Sequence, residues 1–99
     1  MIKYAVEFIG TFFLVLTIGF TVLEPGAGAM APLAIGSALM VMIYAGGHIS
    51  GGAFNPAVAI GITVMGLSII SNIWIFLVAN LIGGAIAAVV FNSLNPDDK

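Results

Sequence analysis

Apolar residues fall into four runs along the chain, separated by polar and glycine-rich breaks. Tyr4 to Leu23 is interrupted only by Glu7 and by small or hydroxyl residues, and it closes at the turn-forming Glu24-Pro25-Gly26. A second run begins near Met30, passes Leu33 to Tyr44 and gives out in Gly46-Gly47-His48-Ile49-Ser50-Gly51-Gly52. A third runs from Asn55-Pro56 to Met65 and stops at Gly66, and a fourth runs from Ile73 to Phe91, ending before Asn92, Ser93, Asn95 and Pro96. A bilayer-spanning helix takes about 20 largely apolar residues. The pattern therefore predicts an all-α membrane protein with a single domain over residues 1–99. Its spans lie at 4–23, 30–47 and 73–91, with a loop re-entering the membrane at 48–54 and a half-helix at 55–65.

The third run carries the most information. Ten residues from Pro56 to Met65 make about 15 Å of helix, roughly half of the ~30 Å hydrocarbon thickness. Asn55 suits a helix N-cap, and Pro56 suits the first helical position, where its missing N–H costs nothing. Non-helical backbone at membrane depth is tolerated only where protein buries it or water wets it. The glycine-rich entry to a half-length helix thus implies a cavity or pore.

Composition sharpens this picture. Of the 99 residues, 62% are hydrophobic and 6% charged, with a mean hydropathy of +1.26, against about a quarter charged in soluble domains. The net charge is −2 at pH 7, and Lys3 and Lys99 are the only basic residues, so no patch exists that could hold a nucleic acid or an anionic surface. With no cysteine and a single histidine, neither a disulfide framework nor a metal site can be assembled, and no cofactor is expected. No Ser, His and carboxylate cluster supports enzyme chemistry. Lys3, an apolar run and Ala27-Gly28-Ala29 imitate a cleaved leader, but the run exceeds the usual 7–15 residues of a signal core and contains Glu7, so it reads as a retained span.

The stretch His48-Ile49-Ser50-Gly51-Gly52-Ala53-Phe54-Asn55-Pro56-Ala57-Val58 closely resembles the signature loop of the major intrinsic proteins, the aquaporins and glycerol facilitators. Glu7-Phe8-Ile9-Gly10-Thr11 in the first span is also similar to that family, and the resemblance covers nearly the whole chain. The family pore resembles two inverted repeats of three spans and a half-helix, and this sequence holds one. The resemblance implies a passive pore for water or small neutral solutes, completed by an antiparallel second copy or by a complementary half. Lys3 and Lys99 fall on opposite faces after three spans and cancel, while the connections carry no Lys or Arg, so insertion in both orientations is permitted.

By the same resemblance, Asn55, Pro56 and Ala57 form the pore centre, where Asn55 amides and two half-helix dipoles repel cations and interrupt a proton relay. The backbone carbonyls of Gly51, Gly52, Ala53 and Phe54 form an acceptor ladder, with glycine supplying unusual backbone angles. The constriction positions are Ile35, Ile43, Gly52 and Val58. The last stands where the family's second repeat carries an arginine, which leaves selectivity between water and glycerol open. Glu7 reads either as an interfacial carboxylate or as a buried acceptor bracing the re-entrant loop, and His48 as a loop-shaping residue or a gate. Asn80 reads as a hydrogen bond between helices or as pore lining. Ala79 with Gly83, and Gly84 with Ala88, allow close helix approach within a copy or between copies.

Two rival readings stand beside the channel. One is a non-conducting aquaporin remnant or assembly subunit. The other is a small proton-coupled multidrug exporter using Glu7, which would need four full spans and a central carboxylate.

Overall fold

The computed structural model describes residues 1–67 and 73–95. Its elements are α1 (Ile2–Val22), a single 3-10 turn (Gly28–Met30), α2 (Ala31–Ser50), α3 (Pro56–Val64) and α4 (Ile73–Leu94). Three helices are long and apolar enough to cross a membrane, and the described residues contain no strand. The protein is an integral, multi-pass membrane protein.

Helix α1 lies between α2 and α4. Ring contacts tie α1 to α4 at both ends: Tyr4 meets Phe76 at 5.5 Å between centroids and Phe20 meets Phe91 at 5.1 Å. The two helices therefore run parallel. Glycines set their spacing, since a Cβ on Gly83 would lie 2.6 Å from the Phe8 carbonyl oxygen, and one on Gly84 would sit at an ordinary 3.6 Å from Val15 Cγ2. Gly83 thus serves packing within the copy, whereas Gly84 has room for a methyl group against α1. Ala88 is exposed. Most large apolar side chains of the spans face outward, as expected of helices bathed in hydrocarbon.

The second helix departs from the sequence reading at its end. The glycine-rich stretch was expected to break the helix after residue 47, yet α2 continues through His48 to Ser50. Gly46 and Ser50 are buried on its α1 side, where glycine lets the helices approach and the serine hydroxyl finds a partner. Gly51, at φ 94°, then ends the helix in the left-handed conformation, and its N–H donates to Gly47 O at 2.8 Å. The non-helical entry shortens to four residues, 51–54, before the Asn55 cap. Helix α4 also runs past residue 91 to Leu94, where the Asn95 N–H and Nδ2 both donate to the Phe91 carbonyl and close the last turn. The reading of Asn95-Pro96 as a stop, and the charge of Lys99, lie in part outside the described residues.

Candidate functional site

The site is built where the end of α2, the loop and the start of α3 fold back against α1. Glu7 is fully buried two turns into α1. Its Oε2 accepts from Ser50 Oγ at 2.6 Å and its Oε1 from the Phe54 N–H at 2.9 Å. The Ser50 hydroxyl also accepts from the Gly52 N–H at 3.2 Å. One carboxyl group therefore holds both ends of the loop and satisfies backbone that has no helical partner. At membrane depth an unsatisfied donor is expensive, so the loop can sit there only because these acceptors meet it.

The loop backbone is unusual at three residues. Gly51 and Gly52 have φ of 94° and 72°, and Phe54 has φ of 53°, which a residue with a bulky side chain rarely adopts. Phe54 is held there by the Glu7 bond on its N–H and by burial of its ring, which is 1% exposed. The ring lies in a hollow floored by Gly10, where any Cβ would overlap it, and edged by Gly46 and Gly52. Glu7 and Gly10 stand three residues apart and so share one face of α1, one supplying the polar anchor and the other the space.

Asn55 then opens α3 from an extended backbone, φ −161° and ψ 127°. Its Oδ1 accepts from the N–H of Ala57 at 2.8 Å and of Val58 at 3.4 Å, so the carbonyl end of the amide is spent on the helix's own free donors. The residue is exposed, and its Nδ2 donors have no acceptor among the described residues. They project from the positive end of a nine-residue helix.

Comparison with known proteins decides what this arrangement belongs to. The profile described as major intrinsic protein matches residues 1–91. The chain belongs to the major intrinsic protein family. Aquaporin TIP2-3 of Arabidopsis thaliana is 38% identical, with 89% of this chain and 36% of that protein covered. Aquaporin Z of Photorhabdus laumondii is 40% identical, with 89% and 41% covered, and aquaporin TIP1-2 of Musa acuminata is 40% identical, with 89% and 36% covered. The chain thus spans about 36–41% of the length of these aquaporins. No solved structure matches.

Within this family member, Asn55, Pro56, Ala57 and the 51–54 loop come together with Glu7. His48 does not join them. It lies exposed on the last turn of α2, and Ser50 makes the loop bond instead. Of the constriction positions, Gly52 and Ile43 adjoin, since a Cβ on Gly52 would lie 3.5 Å from Ile43 Cγ1. Ile35 lies two turns further along α2, about 12 Å away, and Val58 is exposed on the first turn of α3.

Sequence reasoning passed over Ser50 and Gly10. The serine was legible as a hydroxyl in the same glycine-rich stretch as the loop, and the glycine as the residue three beyond the buried carboxylate. Asn80 is 1% exposed, and its Oδ1 accepts from Thr11 Oγ1 at 2.9 Å, a hydrogen bond between helices.

Proposed function

We propose that the chain supplies half of a passive pore for water or small neutral solutes, completed by a second half in inverted orientation, with a second copy as its source. The observation that carries this reading is Asn55: its Oδ1 is committed to the helix start while its Nδ2 donors stand exposed at the positive end of α3. Two such ends facing each other would offer donors to the oxygen of a passing solute and a positive potential to cations. A water held by its oxygen there cannot accept a proton from a neighbour, so the relay is broken. The carbonyls of Gly51, Gly52, Ala53 and Phe54 would replace lost hydration along the entry. Ile43 and Val58 give an apolar constriction, which suits small neutral solutes with carbon backbones, such as glycerol.

An apolar ring can also close by dewetting. That feature favours the second reading, a non-conducting assembly partner. Stopped-flow osmotic shrinkage of proteoliposomes, with glycerol influx in the same preparation, separates the two. A pore gives permeability well above empty vesicles that collapses in Asn55→Asp, whereas an assembly partner gives the empty-vesicle rate for folded, inserted protein.

A further inference from the structure

A groove runs along the seam between α1 and α2. Its wide part holds about 490 Å3 beside Phe13, Thr17 and Ser37, its narrow part holds about 160 Å3 beside Ile9, and Met42 lines both. The groove closes where Val6 packs on Gly46, so tightly that a Cβ on the glycine would lie 2.5 Å from Val6 Cγ1. Two hydroxyl groups set this groove apart. Every other serine and threonine among the described residues donates a hydrogen bond, to a helix carbonyl, to Glu7 or to Asn80, whereas the hydroxyls of Thr17 and Ser37 have no partner among them. Both residues are half-buried. Hydrocarbon offers a hydroxyl no acceptor, so an occupant of this groove must bring one.

We infer that the groove binds one glycerophospholipid with a primary ammonium headgroup, its ester carbonyls accepting from Thr17 and Ser37, its ammonium beside Glu24 and one acyl chain lying down the seam. This site does not depend on how the pore is completed. Depth identifies the acceptors. The molecule is 42 Å long, which matches the ~40–45 Å of a bilayer with its headgroup layers. Thr17 lies five residues before the end of α1, and Ser37 six after the start of α2. Both stand about 8–9 Å inside the helix ends. A headgroup layer of roughly 5–8 Å gives way to hydrocarbon near that depth, and the ester carbonyls of a glycerolipid lie there. From Thr17 down to Val6 the seam continues for about 16 Å, against ~15 Å of hydrocarbon in one leaflet, so one acyl chain reaches the closed foot of the groove. Charge selects the headgroup. Glu24 is the one charged side chain on the α1–α2 connection, and it is exposed with no ion-pair partner among the described residues. Lys3, the one basic residue among those described, stands at the opposite end of α1. A primary ammonium offers Glu24 both charge and hydrogen-bond donors, a quaternary one offers charge alone, and an anionic headgroup is repelled.

The single tryptophan, Trp74, makes the groove directly readable. The full-length chain carrying Trp74→Phe and Phe13→Trp has its one indole in the groove. It is reconstituted in phosphatidylcholine with lipids brominated on their acyl chains, and fluorescence quenching gives their relative binding constants. Brominated phosphatidylethanolamine is expected to bind about two- to fivefold more tightly than brominated phosphatidylglycerol, the scale of an exposed ion pair, and Glu24→Gln should level the two. Unbrominated diester phosphatidylethanolamine should displace the brominated lipid about fivefold better than its diether analogue, which lacks the carbonyls, the scale of one or two hydrogen bonds. Thr17→Val with Ser37→Ala should abolish that difference and leave the headgroup preference in place. Equal constants for the two headgroups would overturn the ammonium site. Equal displacement by diester and diether lipids would overturn the hydroxyl anchor. Absence of quenching by any lipid, with Ser37→Cys chains forming a disulfide-linked dimer, would overturn the lipid site and put a second copy in the groove.

Discussion

Ser50 Oγ donates to Glu7 Oε2 at 2.6 Å, joining the end of α2 to the first turns of α1 across 43 residues of sequence. The serine also accepts from Gly52, so one hydroxyl links the carboxyl group to the loop backbone. Replacing it with alanine would leave a buried carboxyl oxygen and a loop N–H without partners. Ser50→Ala is expected to cost about 1–3 kcal/mol and to lower permeability, read as a drop in thermal midpoint in detergent and a slower stopped-flow rate. Ser50→Thr, which keeps the hydroxyl, should recover most of the midpoint.

Gly10 exists to make room for Phe54. A methyl group there would overlap the ring, which is buried and cannot swing to solvent. Gly10→Ala should destabilise by about 1–3 kcal/mol, as overpacked sites do. Combining it with Phe54→Ala removes the clash, so the double variant should be more stable than the sum of the two single losses. A double-mutant cycle of thermal midpoints measures that coupling.

Neighbouring glycines of α4 should respond unequally. Alanine at 83 would press on the Phe8 backbone at 2.6 Å, which cannot yield without moving α1, whereas alanine at 84 would meet Val15 at 3.6 Å. Gly83→Ala is therefore expected to lower the thermal midpoint clearly. Gly84→Ala should leave it unchanged or raise it, since alanine is the better helix former by about 1 kcal/mol.

Asn55 combines two roles that substitution separates. Asn55→Ala removes the cap on α3 at a cost of about 0.5–2 kcal/mol and also removes the exposed donors. Asn55→Asp keeps an oxygen for the N–H groups of Ala57 and Val58 but loses Nδ2. The alanine variant should lose both stability and permeability, and the aspartate variant permeability alone. Thermal midpoints and osmotic shrinkage rates on the same samples check this.

The positions of the spans and of the half-helix were legible because hydrocarbon thickness demands long apolar runs, and glycine, proline and asparagine interrupt them visibly. The end of α2 was not. Glycine content argued for a break at residue 47, but helix continuation to Ser50 is decided by a tertiary bond to Glu7, which no local pattern displays. Asn55 and Pro56 announce a helix start by residue type alone. His48 stood out by its chemistry and lies outside the hydrogen-bonded site, while Ser50 and Gly10 matter through what faces them across the α1–α2 contact. Of Ile35, Ile43, Gly52 and Val58, the structure sets Gly52 beside Ile43, a contact between the loop and α2 that their spacing in sequence does not display.

The central claim is that conduction needs two inverted halves, and orientation is the variable that tests it. Glu24→Lys with Ala29→Lys places positive charge on the α1–α2 connection. Ile2→Lys with Leu67→Lys places it on the opposite face, the side where Tyr4 and Phe76 meet. Each pair should fix one orientation through the bias of basic residues toward one side. Stopped-flow shrinkage is then recorded for each locked chain alone and for the two together in the same liposomes. The expected result is the empty-vesicle rate for either alone and a restored rate for the mixture. A single locked orientation that conducts as fast as the mixture would contradict the inverted pore.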